Sequence, residues 1–201
     1  MKISYAVTVC NEIEEIQELL PHLLEFKRSQ DEVVVLYDNN GTKEVFDYLQ
    51  SVEGIKLVHD NFDGHFADWK NKLTLLCSGD YVFQIDADEM LSSEFIEVLP
   101  ELLEENSEVD LFWVPRANYV HGLTQEHIQK WGWHVTEDGL VNWPDLQSRI
   151  YRKSESIHWE NKVHEKIVGF KTVAVLPTGF NLLHVKTIER QERQNNYYST
   201  L

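Results

Sequence analysis

Tyr81-Val82-Phe83-Gln84-Ile85-Asp86-Ala87-Asp88-Glu89-Met90 is the stretch on which the fold turns. Tyr81 to Ile85 is a short aromatic and β-branched run of the kind that fills a strand. Three carboxylates follow at once. If the run is a buried parallel strand, Asp86, Asp88 and Glu89 arrive at the carboxyl edge of the sheet, where open α/β sheets hold their ligands. Carboxylates this crowded repel one another unless they share a cation. Hard oxygen donors suit Mg²⁺ or Mn²⁺, which can also bridge to a diphosphate. The alternative is a solvated acidic turn that caps the next helix.

Upstream, strand-like and helix-like segments alternate. Ile3 to Cys10 is a short apolar run with the look of a buried parallel strand. Ile13, Ile16, Leu19, Leu20, Leu23 and Leu24 recur at helical spacing over 12–28, with Pro21 set to kink or divide that helix. Glu32 to Tyr37 is β-branched and stops at the turn signal Asp38-Asn39-Asn40-Gly41. A helix near 43–51 and a strand near 55–59 follow. Phe66, Trp69, Leu73 and Leu76 then share one face of a helix that ends at Gly79, and 92–105 is helical. The rhythm predicts a mostly parallel central sheet with right-handed crossovers, flanked by helices.

Beyond about residue 110 the rhythm breaks. Strands are expected at Leu111–Val114, Gln147–Arg152, 172–176 and 181–185, and a polar helix at 187–199. Between the first two lies a long Trp- and His-rich segment, 119–145, of the length usually reserved for functional loops. The chain thus reads as one domain, 1–201, with a nucleotide-type half to about 110 and an irregular acceptor-side half from about 111.

The composition of the 201 residues is globular, with 42% hydrophobic and 26% charged. Acids outnumber bases 34 to 18, a formal charge of −16 that repels nucleic acid and anionic membranes. No run is long enough to span a bilayer, and the N-terminal apolar run is too short for a signal peptide. Cys10 and Cys77 lie in apolar stretches and read as buried thiols of a reducing compartment, so the cytoplasm is expected. A chain this short could lean on a partner copy, which leaves an oligomer open.

Two further strand ends point to the same sheet edge. Asn11-Glu12 follow the first strand and Asp38 ends the second, and such groups can hydrogen-bond a base or ribose. Asn11 can equally cap the next helix, and Asp38 can form an Asx-turn.

In combination these segments resemble a known family. The order of Asn11-Glu12 after the first strand, V-V-V-L-Y-D-N-N-G-T, H-F-A-D-W-K-N and G-D-Y-V-F-Q-I-D-A-D-E is similar to the family 2 glycosyltransferases of GT-A fold. The later N-W-P-D-L-Q-S-R-I-Y-R-K and H-W-E-N-K-V-H-E-K-I resemble the branch with a V-H-E motif. The resemblance covers about residues 3–185. It implies that Thr8, Asn11 and Glu12 line a nucleotide pocket and that Asp38 contacts the base, commonly uracil. Lys70 and Asn71 match a basic residue–Asn pair near the donor. Asp86 would contact ribose or metal, Asp88 would ligate Mn²⁺ or Mg²⁺, and Glu89 would sit behind them. The metal would stabilise the departing diphosphate while a carboxylate takes the acceptor proton, giving inversion. Asp145, four residues before Arg149, is preferred as that base to Glu165 of the V-H-E, and an ion pair with Arg149 or Arg152 is the structural alternative for either.

His164 and His184 each follow an apolar run and would complete the metal site or touch the diphosphate, with a structural histidine as the alternative. His184 resembles the family's H-x-G element, except that Lys186 stands in place of the glycine. No Cys/His spacing suits zinc. Trp131, Trp133, Trp143 and Trp159 form either an acceptor platform, with Arg149 beside it, or a small satellite core. The expected activity is transfer of a sugar from a nucleotide-sugar, a UDP-sugar above all, to a glycan, lipid-linked or protein acceptor. A nucleotidyltransferase is disfavoured because Thr8 to Glu12 carries no Gly-rich basic loop. A catalytically silent sugar-nucleotide-binding or partner-binding domain is the remaining alternative.

Overall fold

A computed structural model of the chain describes residues 1–198. Strands β1 (Ile3–Val9), β2 (Glu32–Asp38), β3 (Ile55–Asp60) and β4 (Tyr81–Asp86) are parallel in the order β3-β2-β1-β4. Helices α1 (Ile13–Phe26), α2 (Lys43–Ser51), α3 (Phe66–Leu76) and α4 (Ser93–Glu105) make the crossovers. Near-continuous apolar strands need cover on both faces, and they receive it. Tyr5, Val7 and Phe83 pack with Leu19 and Leu23 of α1 and Phe95 and Leu99 of α4 on one side. Ala6, Val34 and Val82 pack with Ala67, Trp69 and Leu73 of α3 on the other.

The second half joins the same sheet. β7 (Leu146–Arg152) is antiparallel to both β4 and β6 (Leu111–His121), and β11 (Leu182–Thr187) runs parallel to β6. β5 (Glu89–Leu91) then pairs with β11 so that His184 lies opposite Glu89, while the β6 register sets His184 beside Asn118. These two registers bring a second-half histidine to the acidic edge of β4. β10 (Val173–Val175) also pairs with β6, and β8 (His158–Glu160) and β9 (Lys166–Val168) form a separate hairpin. Helix α6 (Ile188–Tyr198) closes the described chain; position 199 of the expected 187–199 helix lies outside it.

Several expectations are corrected. Pro21 does not divide α1, because it and Gln17, whose carbonyl loses its partner, both face solvent, where water satisfies that carbonyl. α3 ends at Leu76 rather than Gly79, whose role is close approach: a Cβ there would lie 2.7 Å from the Ser4 backbone nitrogen. The 119–145 segment is not a bare loop. β6 continues to His121, a short helix α5 (Gln125–Trp131) starts with a Thr124–His127 capping box, and Val141 bridges to Asn118 and Val135. No described helix is long and apolar enough to cross a membrane.

Glu32 staples the amino ends of β1, β2 and β4 by accepting from the Ser4 hydroxyl at 2.6 Å, from Ser78 and from the Lys2 ammonium at 3.1 Å. Burial alone would raise its pKa, but the Ser4, Ser78 and Lys2 hydrogen bonds outweigh it and lower the carboxyl from 4.5 to about 2. A depressed carboxylate stabilises the fold above its unfolded pKa and ceases to do so as pH falls through the folded value. Glu32→Gln should therefore cost about 1–2 kcal/mol at neutral pH, since solvent screens part of the interaction. The gap to wild type, read by urea unfolding, should close between pH 4.5 and about 2.

Candidate active site

Three strand ends converge on one cleft. The parallel register sets Thr8 beside Asp86 and Val9 beside Tyr37, so Thr8 to Glu12, Asp38 and Asp86 reach the same edge. With Lys70 of α3 and Arg190, Arg193 and Gln194 of α6, they line a cavity of about 680 Å³. Asp38 accepts the backbone N–H groups of Asn40 and Phe62 at 3.0 and 3.1 Å, so it does form the Asx-turn, yet it still borders the cavity. Gly41 makes that turn possible, since any Cβ would fall 2.1 Å from the Cys10 carbonyl oxygen. The cap of α1 is Glu12, not Asn11; its carboxylate accepts the N–H groups of Cys10 and Asn11 at 2.8 and 2.9 Å. Burial, then the charges of Asp38 and Glu12, pushes the Cys10 thiol up to about 12, so it is neutral in the cleft.

The three carboxylates after β4 have separate fates. Glu89 is 1% exposed and accepts from the Asp86 N–H at 3.1 Å, from Arg149 at 2.5 Å and from Arg116 at 3.2 Å. Arg149, 3% exposed, also donates to Asp86 at 2.5 Å, and its buried Nε–H lacks a protein partner among the described residues. Burial would raise the Asp86 pKa, but the charges of Arg149 and Lys70 overcome it and hold the carboxyl well below its usual range. Asp88 instead faces His184 Nε2 at 3.1 Å and Arg190 at 3.2 Å. Burial opposes its ionisation, and the hydrogen bond and charge of His184 outweigh burial, so its pKa too is lowered.

The His184 ring is oriented from behind. Asn118 spends its amide N–H groups on Asp145 at 2.7 Å and on the Val141 carbonyl at 3.5 Å, so its oxygen must accept from His184 Nδ1 at 2.8 Å. That fixes the proton on Nδ1 and turns Nε2 towards Asp88. Nε2 and a carboxylate oxygen face each other stably only with a cation between them, a proton or a metal. Their 3.1 Å separation matches two adjacent corners of an octahedral site, about 3 Å apart for bonds of about 2.1 Å. Among the described residues no three His, Cys, Asp or Glu side chains form a ready-made cage. A two-ligand site completed by phosphate and water is the usual arrangement for a hard divalent ion at a nucleotide.

A second cavity of about 350 Å³ adjoins the first, sharing Lys70, Asp86, Glu165 and Gln194 with it. Glu165 thus borders both spaces and accepts from Lys70 at 2.6 Å. Asp145 borders neither. Burial would raise its pKa, but the Arg116 charge and hydrogen bonds from Asn118, Arg116 and Gln147 hold it low, which suits a group that positions Asn118. Arg149, His164 and His184 line the second cavity, as does Lys186, which burial and then the neighbouring Arg116 charge lower to about 8. Asn71 lies outside both cavities, pinning β8 through two 2.8 Å bonds to the Trp159 backbone. Trp159 packs in the core, its Nε1 donating to Tyr151, and it also borders the second cavity beneath the Lys70 ammonium. Trp131 and Trp133 meet tilted with ring centroids 4.7 Å apart and His127 stacks on Trp131, but neither tryptophan nor Trp143 lines the cavities.

A family model described as glycosyl transferase family 2 matches residues 4–173. The chain belongs to glycosyl transferase family 2. This family 2 chain is 29% identical over 177 residues to the lipopolysaccharide core biosynthesis glycosyltransferase LpsC of Rhizobium meliloti, covering 84% of the chain and 60% of LpsC. It is 27% identical over 162 residues to a TPR repeat-containing protein of Synechococcus elongatus, covering 80% of the chain and 35% of that protein. Its fold matches S. aureus TarS 1–349 at TM-score 0.64 and 18% identity, over 92% of this chain and 60% of the other. The UDP complex of the same protein gives 0.67 at 18% identity, and the UDP-GlcNAc complex 0.64 at 19%, with coverage of 92% of this chain and 60% and 59% of theirs. The likeness shows the GT-A-like α/β architecture; the chain spans about 60% of the length of LpsC and of TarS 1–349.

Sequence reasoning overlooked Arg190, Arg193, Gln194 and Tyr197, which line the first cavity from α6. Their i, i+3, i+4, i+7 spacing was the available signal. It also gave Arg149 an acceptor-side role rather than that of counter-ion. Arg149→Met should cost about 3 kcal/mol in urea unfolding, since buried Glu89 keeps only Arg116 and Asp86 loses its guanidinium partner. Adding Glu89→Gln should recover part of that loss; an unchanged midpoint in Arg149→Met would contradict the counter-ion role.

Proposed function

We propose that this domain transfers a sugar from a UDP-sugar donor to an acceptor hydroxyl, with inversion and with Mn²⁺ or Mg²⁺. The observation that carries the reading is the 680 Å³ cleft at the carboxyl edge of the sheet, bordered by Thr8, Asn11, Glu12, Asp38, Lys70, Asp86 and Asp88. Family membership and the fold shared with a protein crystallised with UDP and UDP-GlcNAc support it.

In this reading Asp38 and the Thr8 to Glu12 turn hold uridine, and Asp88 with His184 holds the metal. The bound metal supplies charge to the departing diphosphate. Lys70 adds a cation at the junction of the two cavities, and Asn118 and Asp145 keep His184 Nε2 directed at Asp88. Glu165, which borders both cavities, takes the proton of the attacking hydroxyl. Arg149 is assigned to Asp86 and Glu89, not to the acceptor. Cys10 and Cys77 are free thiols, which suits the cytoplasm as its compartment.

UDP binding by calorimetry and UDP release from UDP-sugars into water separate these roles. Asp88→Ala should lose Mn²⁺-dependent UDP binding while keeping its fold. Glu165→Gln should keep UDP binding and lose about 10²- to 10⁴-fold in transfer. Mn²⁺-dependent UDP binding that survives Asp88→Ala would refute the metal assignment.

A further inference from the structure

The second cavity is cationic in a chain whose net charge is −16. Lys70, Arg116, Arg149 and Lys186 border it, with His184, against the carboxylates of Asp86 and Glu165. Most of that positive charge is already matched. Lys70 pairs with Glu165, Arg116 with Glu89 and Asp145, and Arg149 with Asp86 and Glu89.

Lys186 is the exception. Among the described residues no carboxylate comes within 4.0 Å of its ammonium, and its one hydrogen bond goes to the neutral Gln194 amide oxygen at 3.3 Å. It sits half-buried on β11, two residues after His184. Asp88 and Asp145 favour its charge from farther off, but burial and the charges of Arg116 and Arg190 outweigh them, so a further anion in the cavity would be stabilised. The cavity supplies neutral donors as well, from Gln147, Ser148 and Gln191. Lys186 does not border the 680 Å³ cleft, so the anion it awaits is not the nucleotide held there.

We propose that this cavity is an oxyanion subsite for the acceptor, so that the acceptor sugar carries a phosphate or carboxylate held by Lys186. This rests on the glycosyl-transfer reading, with Glu165 at the junction of the two cavities. Its volume of about 350 Å³, at the small end for ligand sites, suits a single charged sugar unit.

The test is ligand-observed NMR binding of glucose 6-phosphate, glucuronate and glucose to the protein, with and without UDP and Mn²⁺. At least one charged sugar should bind ten-fold or more tightly than glucose, and the advantage should shrink as NaCl rises. The better of the two distinguishes phosphate from carboxylate. Lys186→Met should abolish the preference and Lys186→Arg should retain it. Charged sugars that bind no better than glucose to wild type, or a preference that persists in folded Lys186→Met, would overturn the proposal. UDP affinity measured on the same samples reports the donor cleft separately, so a failed donor reading shows as lost UDP binding whatever the charged sugars do.

Discussion

Arg149 reaches from β7 into the space between Asp86 and Glu89, and the site is arranged around that contact. Glu89 has almost no solvent to ionise into, and its charge is tolerable only because Arg149 and Arg116 both reach it. Asp86 is anchored twice, by Arg149 at its carboxylate and by Glu89 at its backbone N–H. Acidic residues that would otherwise repel one another are thereby shared out. Asp86 and Glu89 belong to arginine, and Asp88 is left facing His184.

The same contact joins the two halves of the chain. Arg149 lies on a strand between β4 and β6, and His184 on β11 beyond them, so the acidic edge of the first half is completed by cations and an imidazole of the second. α6 adds a further tie, since Arg190 reaches Asp88, Glu12 and Glu15 together. A strongly acidic protein can hold anionic ligands only where local cations reverse its field. The second cavity meets that condition with Lys70, Arg116, Arg149 and Lys186 against Asp86 and Glu165, whereas the first brings only Lys70, Arg190 and Arg193 to a more acidic lining.

Much of this was legible in the sequence. The buried parallel strands announced themselves as short β-branched runs ended by Asn11-Glu12, Asp38 and Asp86, and the strand ends do converge. The second half was harder, because its partners are set by register rather than by local pattern. Nothing near Asp145 reveals that Asn118, nearly thirty residues earlier, lies between it and His184. Asp145 looked like a base by its spacing to Arg149, but it borders neither cavity, and in the proposed reading it supports Asn118 instead. Glu165 could not be ranked above it without seeing that it borders both cavities. Asn71 and Trp159 read as site residues separately, and only the β8 hairpin shows that they hold each other.

In the proposed reading, the division of labour between Arg149 and Asp88 would leave Asp88 and His184 as the protein ligands of a metal, too few to bind it tightly without a diphosphate. Titrating Mn²⁺ while following the EPR signal of the free aqueous ion, with protein, with UDP and with both, tests that most directly. The Asp88–His184 pair predicts that protein and UDP together remove far more free Mn²⁺ than the sum of either alone. Equal uptake with and without UDP, or no uptake beyond that of UDP itself, would contradict it.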